Sequence, residues 1–131
     1  VLVDAPCTGT GTWRRNPDAR SRSLGPGLAN LLPLQQSILE NAARLVKKGG
    51  RLVYATCSLL PDENEAQVEK FLTAHPDFAR ADARKIWADM TGASASFLHS
   101  DYLALTPRRH GTDGFFAAIL ERRAAEDKTN G

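Results

Sequence analysis

A chain of 131 residues with a net charge of only +2 has room for a single domain with a real core, and its bulk charge does not mark it as a nucleic-acid binder. Two cysteines, the lack of any apolar stretch long enough for a bilayer and a start unlike a signal peptide argue against a disulfide-built secreted module and a membrane protein. The expected setting is a reducing compartment, the cytoplasm.

Residues 1 to 6 read as a short buried strand that leaves its sheet at Pro6, which has no N–H for a ladder. A long connection follows to about Leu32, holding Gly9, Gly11, Pro17, Gly25 and Pro26; connections of this length inside a domain usually contact a ligand. Arg14, Arg15, Arg20 and Arg22 lie in it, opposed only by Asp18, and a second basic group, Arg108, Arg109, Arg122 and Arg123, lies near the end of the chain. From Pro33 the spacing predicts a helix whose buried face is Leu34, Ile38, Ala42, Leu45 and Val46, ended by Lys47-Lys48-Gly49. Arg51 to Ala55 is a second strand. Pro61-Asp62-Glu63-Asn64-Glu65 opens a second helix, with Val68, Phe71 and Leu72 buried, running to His75-Pro76. Residues 77 to 100 carry no clear period, and Ile86, Trp87, Phe97 and Leu98 are their expected anchors. Tyr102 to Leu105 and Phe115 to Leu120 are strands, joined through the Asp113-Gly114 turn as an antiparallel hairpin. Residues 1–123 thus form one α/β unit and 124–131 a frayed polar tail.

The two cysteines, Cys7 and Cys57, each stand just beyond an apolar run. Ligands of parallel sheets bind outside the carboxyl ends of the strands, so two thiols are expected at one functional edge. A free cysteine alone is more often a small buried hydrophobe, but the pairing after two neighbouring strands favours chemistry. Neither cysteine belongs to a C-x-x-C element and the three histidines lack ligand spacing, so no metal site is expected. Arg14 is one residue too far from Cys7 for a C-x5-R phosphatase loop, and Gly9-Thr10-Gly11 lacks the third glycine of a dinucleotide fingerprint.

D-A-P-C followed by T-G-T-G, then L-V-Y-A-T-C-S, then H-G-T-D-G-F-F resemble the motif blocks of the cytosine-C5 RNA methyltransferases of the Nol1/Nop2/Sun (RsmB-like, Fmu) family, in that family's order and across residues 1 to about 123. The resemblance implies the C-terminal half of a Rossmann-like S-adenosylmethionine-dependent methyltransferase sheet, strands four to seven in the order 4-5-7-6 with the last antiparallel. Val1 already lies in the body of a strand, so the expectation is a piece of a longer enzyme. The first three strands and their glycine-rich loop would be absent, leaving the S-adenosylmethionine site incomplete and the first strand's edge open to self-association.

By the same resemblance, Cys57 matches the nucleophile that adds to carbon 6 of cytosine and Cys7 the second thiol that assists release. The dipole of the helix expected at Pro61 would favour the Cys57 thiolate. Asp4 matches an acid that faces N3 of the base and borders the methionine portion of the cofactor. Pro6, Thr8 and Gly9 would let backbone approach a flipped base. Arg14, Arg15 and Arg20 match a basic loop that contacts RNA phosphates, Trp13 either stacks on a base or packs, and His110 and Asp113 chiefly set the turn before the last strand. Ribosomal RNA is preferred over transfer RNA as the substrate. The competing reading is a noncatalytic fragment or RNA-binding module; amino-group methylation is disfavoured because it needs no covalent thiol.

Overall fold

Six apolar residues follow one another in the longest strand, Phe115–Arg122, so that it can be covered on both faces and becomes the centre of the sheet. In the computed structural model, which describes residues 1–12, 27–96, 98 and 100–124, this strand (β5) lies between β2 (Arg51–Thr56) and a broken edge. β2 runs antiparallel to it, with Leu52 opposite Leu120 and Thr56 opposite Phe116. On its other side β2 pairs in parallel with β1 (Leu2–Asp4), Leu2 opposite Val53 and Asp4 opposite Ala55.

The far edge of β5 is shared by two short strands. β3 (Phe78–Ala81) covers its Ile119–Arg122 half and β4 (Leu103–Leu105) its Phe115–Ala117 half, both antiparallel. The order β1-β2-β5-β3 is therefore the expected 4-5-7-6, with the sixth position filled by two segments instead of the single strand expected at 102–105.

Helix α1 spans Leu28–Ala43, starting more than a turn before the expected Pro33, which sits inside it. Its buried stripe is Leu31, Gln35, Leu39, Ala42 and Ala43, offset from the expected face; Leu34 is exposed and Leu45, beyond the helix, is 74% exposed. Pro33 is tolerated because the carbonyl it cannot serve, that of Ala29, belongs to the exposed first turn. Helix α2 spans Glu65–Ala74 and not Pro61 onward, since residues 61–64 form a separate turn. Helix α3 (Ala83–Thr91) is capped by Asp82, which accepts from the Arg84 N–H, and ends at Gly92 in the left-handed region with φ 72°. The one-turn helix α4 (Pro107–His110) is capped by Thr106 and ends at Gly111.

Leu39, Leu52, Tyr54, Val68, Phe71, Phe116, Ala118 and Leu120 form the main core between the sheet and α1 and α2. On the opposite face Ala83, Ala95 and Leu98 pack with Leu103, Leu105 and Ile119. Leu98 is thus the anchor expected, Ile86 is half-buried, and Trp87 is 39% exposed, contrary to expectation. Phe97, Trp13, Arg14, Arg15, Arg20, Arg22 and residues 125–131 lie outside the described residues.

Candidate active site

Because β1 and β2 are parallel and in register, their carboxyl ends reach one edge together, with Ala5 donating to the Ala55 carbonyl at 2.9 Å. Each strand then turns into a short loop, and the loops bring the Cys7 and Cys57 Sγ atoms to 3.4 Å. Both cysteines are free and half-buried. Gly9 carries φ 72°, a conformation that favours glycine, and the Thr12 hydroxyl and N–H both bond its carbonyl, so the chain after Cys7 folds back at once.

A third loop closes on these two. The Gly11 N–H donates to the Cys57 carbonyl at 2.8 Å, and the Gly114 N–H donates to the Gly11 carbonyl at 2.8 Å. The contact leaves no room for a side chain: a Cβ on Gly11 would lie 2.5 Å from the Gly114 oxygen and 2.6 Å from the Cys57 oxygen. The blocks D-A-P-C-T-G-T-G, T-C-S and H-G-T-D-G-F-F are far apart in sequence and meet here backbone to backbone. Thr106 N–H donates to His110 Nδ1 at 3.1 Å, in keeping with a structural part for His110 in that third loop.

Beneath the thiols lies a carboxylate that the sequence reading treated only as helix-end charge. Glu63 is 0% exposed and accepts four hydrogen bonds: from the Thr8 N–H (2.9 Å), the Thr8 hydroxyl (2.7 Å), Gln35 Nε2 (3.1 Å) and the Ser58 hydroxyl. Thr8 follows Cys7 and Ser58 follows Cys57, so one side chain holds both thiol loops. Gln35, on α1, also donates to the Pro6 carbonyl at 2.9 Å and accepts from Gln67 of α2 at 2.9 Å. The Tyr54 hydroxyl donates to the Glu63 carbonyl at 2.7 Å. Burial, then the Glu63 charge and Cys7, push the Tyr54 phenol well above the ordinary tyrosine value. Ser58, Gln35 and Glu63 went unrecognised as site residues; the one available signal was two polar residues, Glu63 and Gln35, at positions that the packing of α1 and of the T-C-S loop turns inward.

Of the other expected site residues, Asp4 is exposed at the end of β1, and among the described residues none donates a hydrogen bond to its carboxylate. Pro6 is exposed, while Thr8 directs both its donors to Glu63. The helix expected to begin at Pro61 and aid the Cys57 thiolate begins at Glu65 instead, after the intervening turn.

Burial, reinforced by the side-chain hydrogen bond to Cys57, raises the Cys7 thiol from 9.0 to about 11. The Cys7 thiol is therefore neutral at physiological pH. The sign for stability follows: below about pH 9 the thiol is protonated in both folded and unfolded chains, and between about 9 and 11 the unfolded chain loses its proton first, so stability falls across that window. Cys7→Ala is expected to flatten that fall, as read by urea unfolding at pH 8 and pH 10; an unchanged slope would contradict the assignment.

Known proteins resemble this chain over nearly its whole length. The model of the family described as 16S rRNA methyltransferase RsmB/F matches residues 1–121. The probable ribosomal RNA small subunit methyltransferase B of Synechocystis sp. is 48% identical over 93% of this chain and 27% of its own length. Its Bacillus subtilis counterpart is 37% identical over 94% of this chain and 27% of its own length. The crystal structure of PH0851 superposes with a TM-score of 0.78 at 42% identity, covering 93% of this chain and 26% of that one. The chain thus spans about a quarter of the proteins it matches, and its own residues 1–121, which the family model matches, hold both thiols and all three loops that meet at Gly11. It belongs to the 16S rRNA methyltransferase RsmB/F family.

Proposed function

We propose that this chain is the thiol-bearing portion of an S-adenosylmethionine-dependent methyltransferase that modifies carbon 5 of cytosine in ribosomal RNA through a covalent adduct with Cys57. The observation that supports this reading above others is the pair of free thiols 3.4 Å apart at the carboxyl edge of a parallel strand pair. Methylation of an amino group has no use for two sulfurs there.

Carbon 5 of cytosine is a poor nucleophile. The Cys57 thiolate forms a bond to carbon 6, the C5–C6 double bond shifts to C4–C5, and N3 takes a proton; carbon 5 becomes enamine-like. Asp4 is the acid proposed to face N3. When bound, S-adenosylmethionine supplies the electrophilic methyl group that carbon 5 takes up. Asp4's exposed carboxylate also suits the ammonium of a methionine moiety, and the other contacts to that molecule are assigned to the parent enzyme beyond this chain. A base then removes the proton from carbon 5, the C5–C6 double bond re-forms as the Cys57 sulfur leaves, and N3 gives back the proton it took up. Cys7 holds a proton within reach of that departing sulfur. Pro6 and Gly9 line the approach of the base, and Arg14, Arg15 and Arg20 are the proposed phosphate contacts. Working free thiols suit the reducing cytoplasm.

Incubating the full-length parent with S-adenosylmethionine and unmodified 16S rRNA tests the reading. New 5-methylcytosine is expected; methylation at another atom, or none, overturns it.

A further inference from the structure

We infer that Glu63 is a positioning residue that sets the distance between the two thiols, by hydrogen-bonding the residue that follows each of them. The geometry is specific. One carboxylate oxygen accepts from the Thr8 N–H and from Gln35, and the other accepts from the hydroxyls of Thr8 and Ser58. No strand hydrogen bond joins Cys7 to Cys57, because both lie past the ends of β1 and β2. Their loops are joined by the Gly11 contact, by Thr10, whose hydroxyl accepts from the Leu59 N–H at 2.8 Å and lies 3.4 Å from the Ser58 hydroxyl, and by Glu63.

The surroundings favour a group with two acceptor atoms at this position. Four donors converge on two oxygens, and a carboxylate alone offers lone pairs for all of them without presenting a donor of its own. Gln35 is fixed in turn by the Pro6 carbonyl and Gln67, and Ser58 accepts from the Leu60 N–H at 3.0 Å, which leaves its own proton for Glu63. The neighbouring acids differ: Asp62 and Glu65 are exposed on either side, so only Glu63 turns inward. Glu63 touches neither thiol, and it acts on them through Thr8 and Ser58.

The thiol spacing is measurable without substrate or cofactor. Equilibration with glutathione buffers reports the effective concentration of Cys7 toward Cys57: oxidised glutathione takes up the two electrons and two protons, leaves as two reduced molecules, and the Sγ–Sγ bond forms in the protein. Glu63→Met keeps the shape and removes every acceptor, and is expected to lower that effective concentration at least tenfold in protein that remains folded by circular dichroism. Glu63→Gln keeps one carbonyl for the Thr8 and Gln35 N–H groups, while its amide can donate to the two hydroxyls once they rotate; it is expected to recover to within about threefold of the parent chain. Phe78→Leu, at the opposite end of the sheet, controls for general destabilisation and is expected to leave the value unchanged. An unchanged value in Glu63→Met, or an equal fall in Phe78→Leu, overturns the inference. Should Glu63→Met not fold, Thr8→Val decides, with a threefold fall expected and no change overturning it. The bearing of Glu63 on turnover rests on the methyltransferase reading, but this measurement does not, so a parent enzyme that fails to methylate RNA would sink that reading and leave this result standing.

Discussion

Gly11→Ala is expected to lower the unfolding free energy by about 3 kcal/mol, a value at the upper end for inserting one methyl group into a packed contact. The added carbon would meet the Gly114 oxygen at 2.5 Å, the Cys57 oxygen at 2.6 Å and the Gly114 Cα at 2.7 Å. All three are backbone atoms, so no rotamer change relieves the overlap and the loops themselves must part. Parting them strains two hydrogen bonds, from Gly11 to Cys57 and from Gly114 to Gly11. Gly27→Ala is the matched control, because a Cβ there meets nothing within 4 Å. As the first cap of α1 it is expected to cost no more than about 1 kcal/mol. Urea unfolding of the two variants checks the comparison, and equal midpoints would mean that the three loops are not locked together.

The cysteines are expected to fail in opposite ways in the full-length parent. Cys57→Ala removes the atom proposed to bond to carbon 6, so turnover is expected to fall by at least about 10⁴-fold, as when other covalent enzymes lose their nucleophile. No RNA–protein complex then survives denaturing electrophoresis. Cys7→Ala leaves the attacking sulfur in place and removes the neighbouring proton carrier, so turnover also falls but the covalent complex accumulates. A trapped complex with Cys57→Ala in place of Cys7→Ala would exchange the two roles. The 3.4 Å separation is the reason for expecting this contrast, since a thiol much farther away could not assist departure of the other.

The thiol pair was legible because two short-range facts sufficed: apolar runs that read as strands, and a cysteine just beyond each. The parallel pairing of β1 with β2 turned those local facts into proximity. Glu63 was not legible, because Asp62, Glu63 and Glu65 look alike as a run of acids before a helix. Only the path of the 61–64 turn makes the middle one buried. β3 was missed for a related reason: Phe-Ala-Arg-Ala offers one strong apolar residue, and it is a strand because β5 presents an edge for it to pair with. Helix α1 was begun at Pro33 because proline fits a first turn, yet Leu28 to Leu32 already favour helix and Pro33 falls where the lost bond is exposed. The ends of α3 were signalled by Asp82 and Gly92 but went unread among residues without a clear apolar period.

The broken edge of β5 gives this fold a place to change length. Between Ala81 and Leu103 the chain leaves the sheet, forms α3 and returns to the same side of the same strand, so the two halves of that edge keep their registers whatever the size of the excursion. Residues added or lost there would alter the outer face carrying Trp87 and Met90 without shifting Phe116 opposite Thr56. The thiol-bearing end and the outer surface can therefore diverge at different rates, one held by close backbone contact and the other free to acquire new shapes.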